Sequence, residues 1–271
     1  MCRRRNQDTP QHTKSKMGYR VEGCTIDDAA SLGRNNASAY WKQPYWRMLW
    51  PQDMDREFII EQVQKRIGPA VLLRDRDHLR QEKAVDEDTG DIIGYARWNL
   101  SEALVKSHEG EVLWADRQVP NVDDDLRKEL EEEMDASWWE PRSDMGELDV
   151  KIEEARERLH AQEKHIGESL PGDGAWCYDT TRLTLWGAEL EYLAVRPESQ
   201  GQGIASALVR RGVEKAKEYG VPVYLLAFDV AKGVYLRQGF REVEAVLQDA
   251  TPFGGNAHYN TYCMVYDEHL K

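Results

Sequence analysis

The sequence predicts a mixed α/β sheet with a parallel centre and helices on both faces. The run "VPVYLLAF" (221–228) is apolar almost throughout, as in a strand buried on both sides. The segment "HLRQEKAVDEDTGDIIGYARWNL" (78–100) alternates about a turn at Asp88-Thr89-Gly90, as a hairpin does. The stretch "LAVRPESQGQGIASAL" (193–208) leads an apolar strand through a glycine turn into a helix. The resulting order is β-α-α-β-β, an insertion, then β-α-β-α-β-β.

Each element follows from local signals. "YRVEGCT" (19–25) reads as a strand, and Asp27 or Asp28 caps a helix through Ala39. An aromatic connector holds Trp41, Tyr45, Trp46 and Trp50. Asp53 or Asp55 starts a second helix with Phe58, Ile59, Val63 and Ile67 on its apolar side. Gly68-Pro69 ends it, and "AVLLRD" (70–75) reads as a strand. From about 101 to 184 charge dominates. Within that insertion, Val122, Leu126, Leu130 and Met134 mark one helix; Met145, Leu148, Ile152, Ala155 and Leu159 mark another, running to about Gly167. "SLPGDG" (169–174) is a loop. "GAELEYLAV" (187–195) is a strand. After the glycine turn, Ala205, Leu208, Val209, Gly212 and Ala216 form a helical stripe closed by Gly220. "VAKGVYLRQ" (230–238) is a short helix, and "FREVEAVL" and "AHYNTYCMVY" form a final antiparallel pair.

Composition narrows the function. The chain has 271 residues, 41% of them hydrophobic, enough for a sizeable core. A formal net charge of −13 argues against nucleic acid and anionic membrane partners and is compatible with a cationic substrate. Cys2, Cys24, Cys177 and Cys263 are far apart and form no disulfide framework, and no zinc-ligand spacing occurs, so no metal is expected. No apolar stretch reaches about 20 residues. Residues 1–17 form a basic, disordered tail without a secretory signal, and 18–271 a single domain. The expected compartment is the cytosol, with access to the nucleus, and the expected assembly a monomer or homodimer.

The glycine turn is the strongest functional signal. A strand entering a helix leaves the first helical amides without partners. Gly201 and Gly203 remove the side chains that would keep a ligand away, and the helix dipole favours an anion. One reading is a pyrophosphate cradle; the other is a tight turn with glycines for geometry alone. "GQGIAS" also fits a degraded dinucleotide fingerprint, with Ser206 in place of the third glycine, while the Gly-Lys-Ser/Thr ending of a P-loop is absent.

Two motifs together resemble the GNAT acyltransferases. Gln200-Gly201-Gln202-Gly203-Ile204-Ala205 fits that family's Q/R-x-x-G-x-G/A loop, and "AKGVYLRQGF" (231–240) resembles its A-x-x-x-Y-x-x-x-G-F. They stand at the family's spacing, with a helix and the buried strand between. The resemblance is closest over about 188–246. The element order over 19–100 and the long insertion before the fourth strand are similar to small-molecule GNAT proteins of filamentous fungi. The implied fold is α/β (an α+β mixed sheet), splayed between strands 4 and 5.

The resemblance implies an acetyl-CoA-dependent N-acetyltransferase acting in a ternary complex. Pantetheine would lie along Leu193, Ala194 and Val195, and amides from Gln200 to Ser206 would hold the pyrophosphate. Tyr235 matches the general acid for the departing thiolate. Phe228 stands where many members carry a CoA-contacting asparagine. An ammonium has no lone pair and an alkylamine pKa lies near about 10.4, so a base is needed. Glu189 and Glu191, on one face with Leu193 and Val195 by strand alternation, are candidates, with Glu189 favoured. The plain alternative makes both solvated strand residues. A backbone amide near 193–195 would face the oxyanion.

For the acceptor, a small-molecule primary amine, the family layout points to Trp41, Tyr45, Trp46 and Trp50, with Trp138-Trp139 of the insertion. Aromatic rings and carboxylates suit a hydrophobic amine through cation–π contact and ion pairing, or the tryptophans only pack the helices. A protein lysine or N-terminal acetyltransferase and a non-catalytic acyl-CoA sensor are the competing functions.

Overall fold

The structure is a computed structural model that describes residues 18–162 and 187–268, with backbone alone over 159–162. A seven-stranded sheet runs in the order β1-β2-β3-β4-β5-β7-β6. The strands are β1 (Tyr19–Gly23), β2 (Leu79–Asp86), β3 (Ile92–Leu100), β4 (Ala188–Val195), β5 (Val223–Phe228), β6 (Arg241–Gln248) and β7 (Tyr259–Tyr266). All neighbours are antiparallel except the central pair β4–β5, which is parallel.

The helices divide between the two faces. On one lie α6 (Ile204–Tyr219) and α7 (Asp229–Arg237). They pack Leu208, Val209 and Tyr235 against Trp98, Leu190 and Leu225. The other face is covered by α1 (Ala29–Tyr40), α2 (Pro44–Met48), α3 (Arg56–Leu73) and the insertion helix α5 (Gly146–Gln162). Strand alternation makes the division visible in β5: Leu225 and Ala227 join the α6–α7 core, while Tyr224, Leu226 and Phe228 join the core under α5. The acidic helix α4 (Asp124–Ala136) lies outside α3 and has no buried residue.

The largest departure from the sequence reading is α3. Gly68-Pro69 does not end it, and residues 70–73 are helical rather than a strand. Gly68 is a packing glycine, not a cap. A Cβ on Gly68 would stand 2.1 Å from the Ala29 carbonyl oxygen, and one on Gly33 would stand 2.6 Å from the Gln64 Cα. The two helix backbones cross in contact at these glycines. Burial of Leu72 beyond the crossing keeps the chain helical despite the hydrogen bond lost at Pro69.

Smaller differences have similar local causes. Asp28 does not cap α1 from outside. It sits in a short 3-10 turn ahead of the helix, where its carboxylate accepts from the Thr25 amide (2.7 Å) and from Lys83 (2.7 Å). Asp55 does cap α3, accepting from the Phe58 amide. The aromatic connector holds the short helix α2, opened by Pro44 at its first turn. Of the two insertion helices, α5 is described to Gln162, and residues between 163 and 186, including "SLPGDG", lie outside the described part.

The insertion is tied to the sheet at both ends. The fully buried Glu82 on β2 accepts from Arg117 of the insertion (2.8 Å) and from Arg211 on α6 (2.7 Å). Such a buried carboxylate persists only when paired. Further on, α5 is held over β6 and β7 by Arg158–Glu244 (2.6 Å) and by Gln248, which donates to the Leu148 carbonyl (2.9 Å).

Candidate active site

The sheet opens at its centre. β4 and β5 pair only from Ala188↔Val223 to Leu190↔Leu225, and beyond that the strands part. A cleft of about 790 Å³ fills the gap, walled by Glu191 to Val195, by the glycine turn and by Tyr235.

The turn is an anion cradle by construction. Gly201 and Gly203 have φ of +77° and +86°, and an added Cβ at either would meet no atom within 4 Å. Their role is therefore backbone conformation and open approach, not packing. Among the described residues, no backbone amide from Gly201 to Ser206 has a hydrogen-bond partner; the first helical bond runs from the Ala207 amide to the Gly203 carbonyl. The Gln200 side chain braces the turn by donating to the Val195 carbonyl (2.9 Å). Arg237 of α7 adds a cation to the cleft wall.

The cleft edge of β4 is also prepared. The Arg196 amide bonds the Ile93 carbonyl across the β3 ladder. Antiparallel partners alternate, so Leu193 and Val195 turn their backbone groups the other way, toward the gap. The Leu193 carbonyl is taken by the Tyr40 hydroxyl (3.0 Å). The Leu193 and Val195 amides have no strand opposite them.

A bulge in β4 corrects the expected facing of the glutamates. The β3–β4 register passes from Tyr192 to Leu190 and skips Glu191. Ala188 and Leu190 therefore face the α6 core, and so do Leu193 and Val195 after the bulge. Glu189 and Glu191 lie on the other face, and Leu193 and Val195 are not beside them. Simple alternation cannot foresee this, because one extra residue reverses everything after it.

Both carboxylates are engaged. Glu191 reaches the cleft wall and accepts from Arg97 Nε (2.8 Å) and Asn99 Nδ2 (2.8 Å). Glu189, which does not line the cleft, accepts from Arg156 of α5 (2.6 Å). Burial raises the Glu189 carboxyl above its ordinary value, and the Arg156 guanidinium offsets only part of that rise.

Tyr235 lies at the far side of the gap, packed edge-on against Phe240. Its hydroxyl has no hydrogen-bond partner among the described residues, and burial pushes its pKa up. Phe228, the N-cap of α7, lines the cleft and packs near Tyr259.

The acceptor-side aromatics fall elsewhere. Trp41, Trp46 and Trp50 pack with Trp138, Trp139, Ile59 and Val63 in a separate cluster, outside the cleft lining. Trp50 is almost wholly buried. Arg47 stacks over Trp41 at 5.1 Å, so that face already holds a cation. Tyr45 stacks on Tyr259 (5.1 Å) and donates to Asp149 on α5 (2.8 Å). On this side the cleft is lined instead by Tyr40, Gln43, Ile152, Leu226, Phe228 and Thr261. Tyr40, Ile152 and Thr261 had no signal at fixed spacing; each is brought in by a different element.

A parted central pair, free amides at the helix start and a tyrosine across the gap suit a phosphate-bearing ligand that reaches between the strands. Residues 173–240 match the family model described as Acetyltransferase (GNAT) family. Over that quarter of the chain the protein is similar to the GNAT acetyltransferases, and the match together with the fold supports an acetyl-CoA-dependent N-acetyltransferase. No curated protein sequence matches it.

Solved structures agree on the fold. One is titled as histone acetyltransferase HPA2 and related acetyltransferase from Corynebacterium glutamicum. It aligns at 15% identity and TM-score 0.51, covering 94% of this chain and 99% of the other. Another, the C-terminal condensation domain of Ebony in complex with beta-alanyl-dopamine, aligns at 11% identity and TM-score 0.52, covering 92% and 99%.

Proposed function

We propose that the enzyme transfers the acetyl group of acetyl-CoA to the primary amine of a small molecule within a ternary complex. The observation that carries this reading is the insertion helix α5 in the wall of the acceptor face. The cleft passes between β4 and β5, and on the side away from α6 the helix contributes Ile152 to a lining shared with Tyr40 and Gln43. A cleft narrowed by an inserted helix suits a compact amine better than a peptide lying in an open groove.

The residues divide the chemistry. The amides from Gly201 to Ser206 hold the pyrophosphate, and charge-assisted bonds of this type contribute about 1.5–3 kcal/mol each. The Leu193 and Val195 amides, which face the gap, hold the pantetheine arm and the developing oxyanion. The amine nitrogen attacks the thioester carbonyl carbon; the C–N bond forms and the C–S bond breaks. Before attack the ammonium gives one proton toward Glu191, directly or through a water. The departing thiolate takes a proton from the Tyr235 hydroxyl, and the second proton, shed by nitrogen as the amide forms, returns to Tyr235 through solvent. Glu191 is preferred to Glu189 as base because it reaches the cleft. Arg97 and Asn99 fix its orientation.

Thiol release from acetyl-CoA against polyamines, monoamines, amino acids, aminoglycosides and a lysine peptide tests the reading. Transfer to one class of small amine supports it. Transfer to the peptide alone makes the enzyme a protein acetyltransferase, and tight CoA binding with no transfer makes it a sensor. Glu191→Gln lowers kcat/KM by about 10²-fold near neutral pH. The deficit shrinks as pH rises toward the amine pKa of about 10.4, because more acceptor is already neutral. A pH–rate profile for Glu191→Gln identical to wild type removes Glu191 from the mechanism.

A further inference from the structure

The acceptor side of the cleft contains an unusual polar atom. Thr261 on β7 is 1% exposed, yet among the described residues its Oγ1 has no hydrogen-bond partner. A buried hydroxyl left without a partner is destabilising, and a ligand group that supplies the partner relieves that cost. Thr261 lines the cleft, and its strand register sets it opposite Phe228, at the end of β5 where the gap is open. By strand alternation it shares the α5 face with Tyr259 and Cys263, both in the core under that helix. That is also the face of Glu189 and Glu191. Thr261 therefore belongs to the acceptor walls, across the sheet from α6, with its hydroxyl at their buried end.

The charges around it limit what it can meet. Glu191 is matched by Arg97 and Glu189 by Arg156. The remaining walls near Thr261 are Ile152, Leu226 and Phe228. Among the described residues this side of the cleft offers no unpaired carboxylate to a second ammonium group. A diamine or polyamine would bury its distal charge against apolar walls, which is costly. An apolar body carrying one hydrogen-bonding group loses nothing there and gives the Thr261 hydroxyl its missing partner.

We propose that Thr261 is a specificity-determining residue, its Oγ1 hydrogen-bonding the far end of a primary monoamine whose body is apolar and carries a single hydroxyl. This rests on the small-amine reading above and deepens it.

The test compares wild type, Thr261→Val and Thr261→Ser with tyramine, phenethylamine and putrescine as acceptors. CoA affinity is measured by calorimetry and unliganded stability by thermal melting. The wild type should prefer tyramine to phenethylamine and use putrescine poorly. Thr261→Val, nearly isosteric, should raise the tyramine KM about tenfold and the phenethylamine KM far less. Thr261→Ser should restore most of the tyramine KM. CoA affinity should hold, and the Thr261→Val melting temperature should stay level or rise, because an unpaired buried hydroxyl has been removed. Putrescine as the preferred acceptor, or equal KM changes for both aromatic amines, overturns the proposal while leaving the acetyltransferase reading intact. Failure of wild type to acetylate any amine despite binding CoA overturns both.

Discussion

The two sides of the cleft are built from different material. On the donor side, backbone does the work: free amides at the start of α6, and Leu193 and Val195 turned toward a gap with no strand opposite. On the acceptor side, side chains from α1, the turn after it, α5, β5 and β7 do it, and contacts distant in sequence hold these elements. Tyr40 reaches the Leu193 carbonyl, Tyr45 reaches Asp149, and Arg156 reaches Glu189. Backbone recognition is tied to a short stretch and constrains few residue types, chiefly glycines at positive φ. Side-chain recognition is spread through the chain and free to vary. The donor side is therefore expected to tolerate little change in one loop, and the acceptor side to respond in small steps to changes in several elements.

The largest expected effect lies on the donor side. Gly203→Asp places a Cβ at φ +86° and a negative charge among amides arranged for phosphate. Ligand at about 100 times its dissociation constant stabilises the wild type by about 2.7 kcal/mol. Thermal melting with saturating CoA should show that stabilisation for wild type and none for Gly203→Asp. NADH should stabilise neither. A CoA shift retained in the mutant would separate the glycine turn from phosphate binding and remove the basis of the comparison.

The next effect lies at the boundary of the two sides. Tyr235→Phe keeps the ring that packs on Phe240 and removes only a hydroxyl that bonds nothing among the described residues. CoA affinity should hardly change. Turnover should fall by about 10²-fold, the lower end for general acid catalysis, because a thiol is intrinsically a good leaving group. The loss should appear in kcat and kcat/KM together. Burial raises the phenol's pKa, which keeps it protonated in the neutral range and makes it a weaker acid toward the thiolate, a further reason to expect the lower end of the range. Full activity of Tyr235→Phe with the true acceptor would mean the thiolate leaves without it.

The same division explains what the sequence discloses. The order of elements along the chain, the glycine turn and the tyrosine motif follow from signals inside windows of about ten residues, and the parallel centre from the order in which strands and helices alternate. Gly220 closes α6 at φ +67°, as its position after the apolar stripe predicts. The errors come where a distant partner overrides a local rule. Gly68-Pro69 carries a helix-stop signal, yet Gly68 exists to let α3 touch Ala29. The bulge at Glu191 reverses the facing of β4 without any glycine or proline to announce it. The tryptophans of the connector look like an acceptor wall because aromatic residues near a binding face suggest one. Their partners, Trp138 and Trp139, lie on the insertion and close them into a core. Thr261 is one hydroxyl in a strand whose pattern reads as packing, and only burial without a partner marks it.

The smallest expected effect tests whether the two sides are independent. Tyr45→Phe keeps the stack on Tyr259 at 5.1 Å and removes the hydrogen bond to Asp149 on α5. Asp149 is exposed, so water takes the place of the lost donor, and the cost should be about 0.5–1 kcal/mol. In a chain of this size that corresponds to a fall of about 1–4 °C in melting temperature. The same bond anchors α5 less than one helical turn before Ile152, which lines the acceptor side of the cleft. Loosening it should raise the acceptor KM by about two- to fivefold through that wall. The donor side touches neither Tyr45 nor Asp149, so CoA affinity measured by calorimetry should stay constant. A matching loss of CoA affinity would show that α5 and the glycine turn move together. The cleft would then behave as one coupled site, with the insertion setting the donor side as well as the acceptor side.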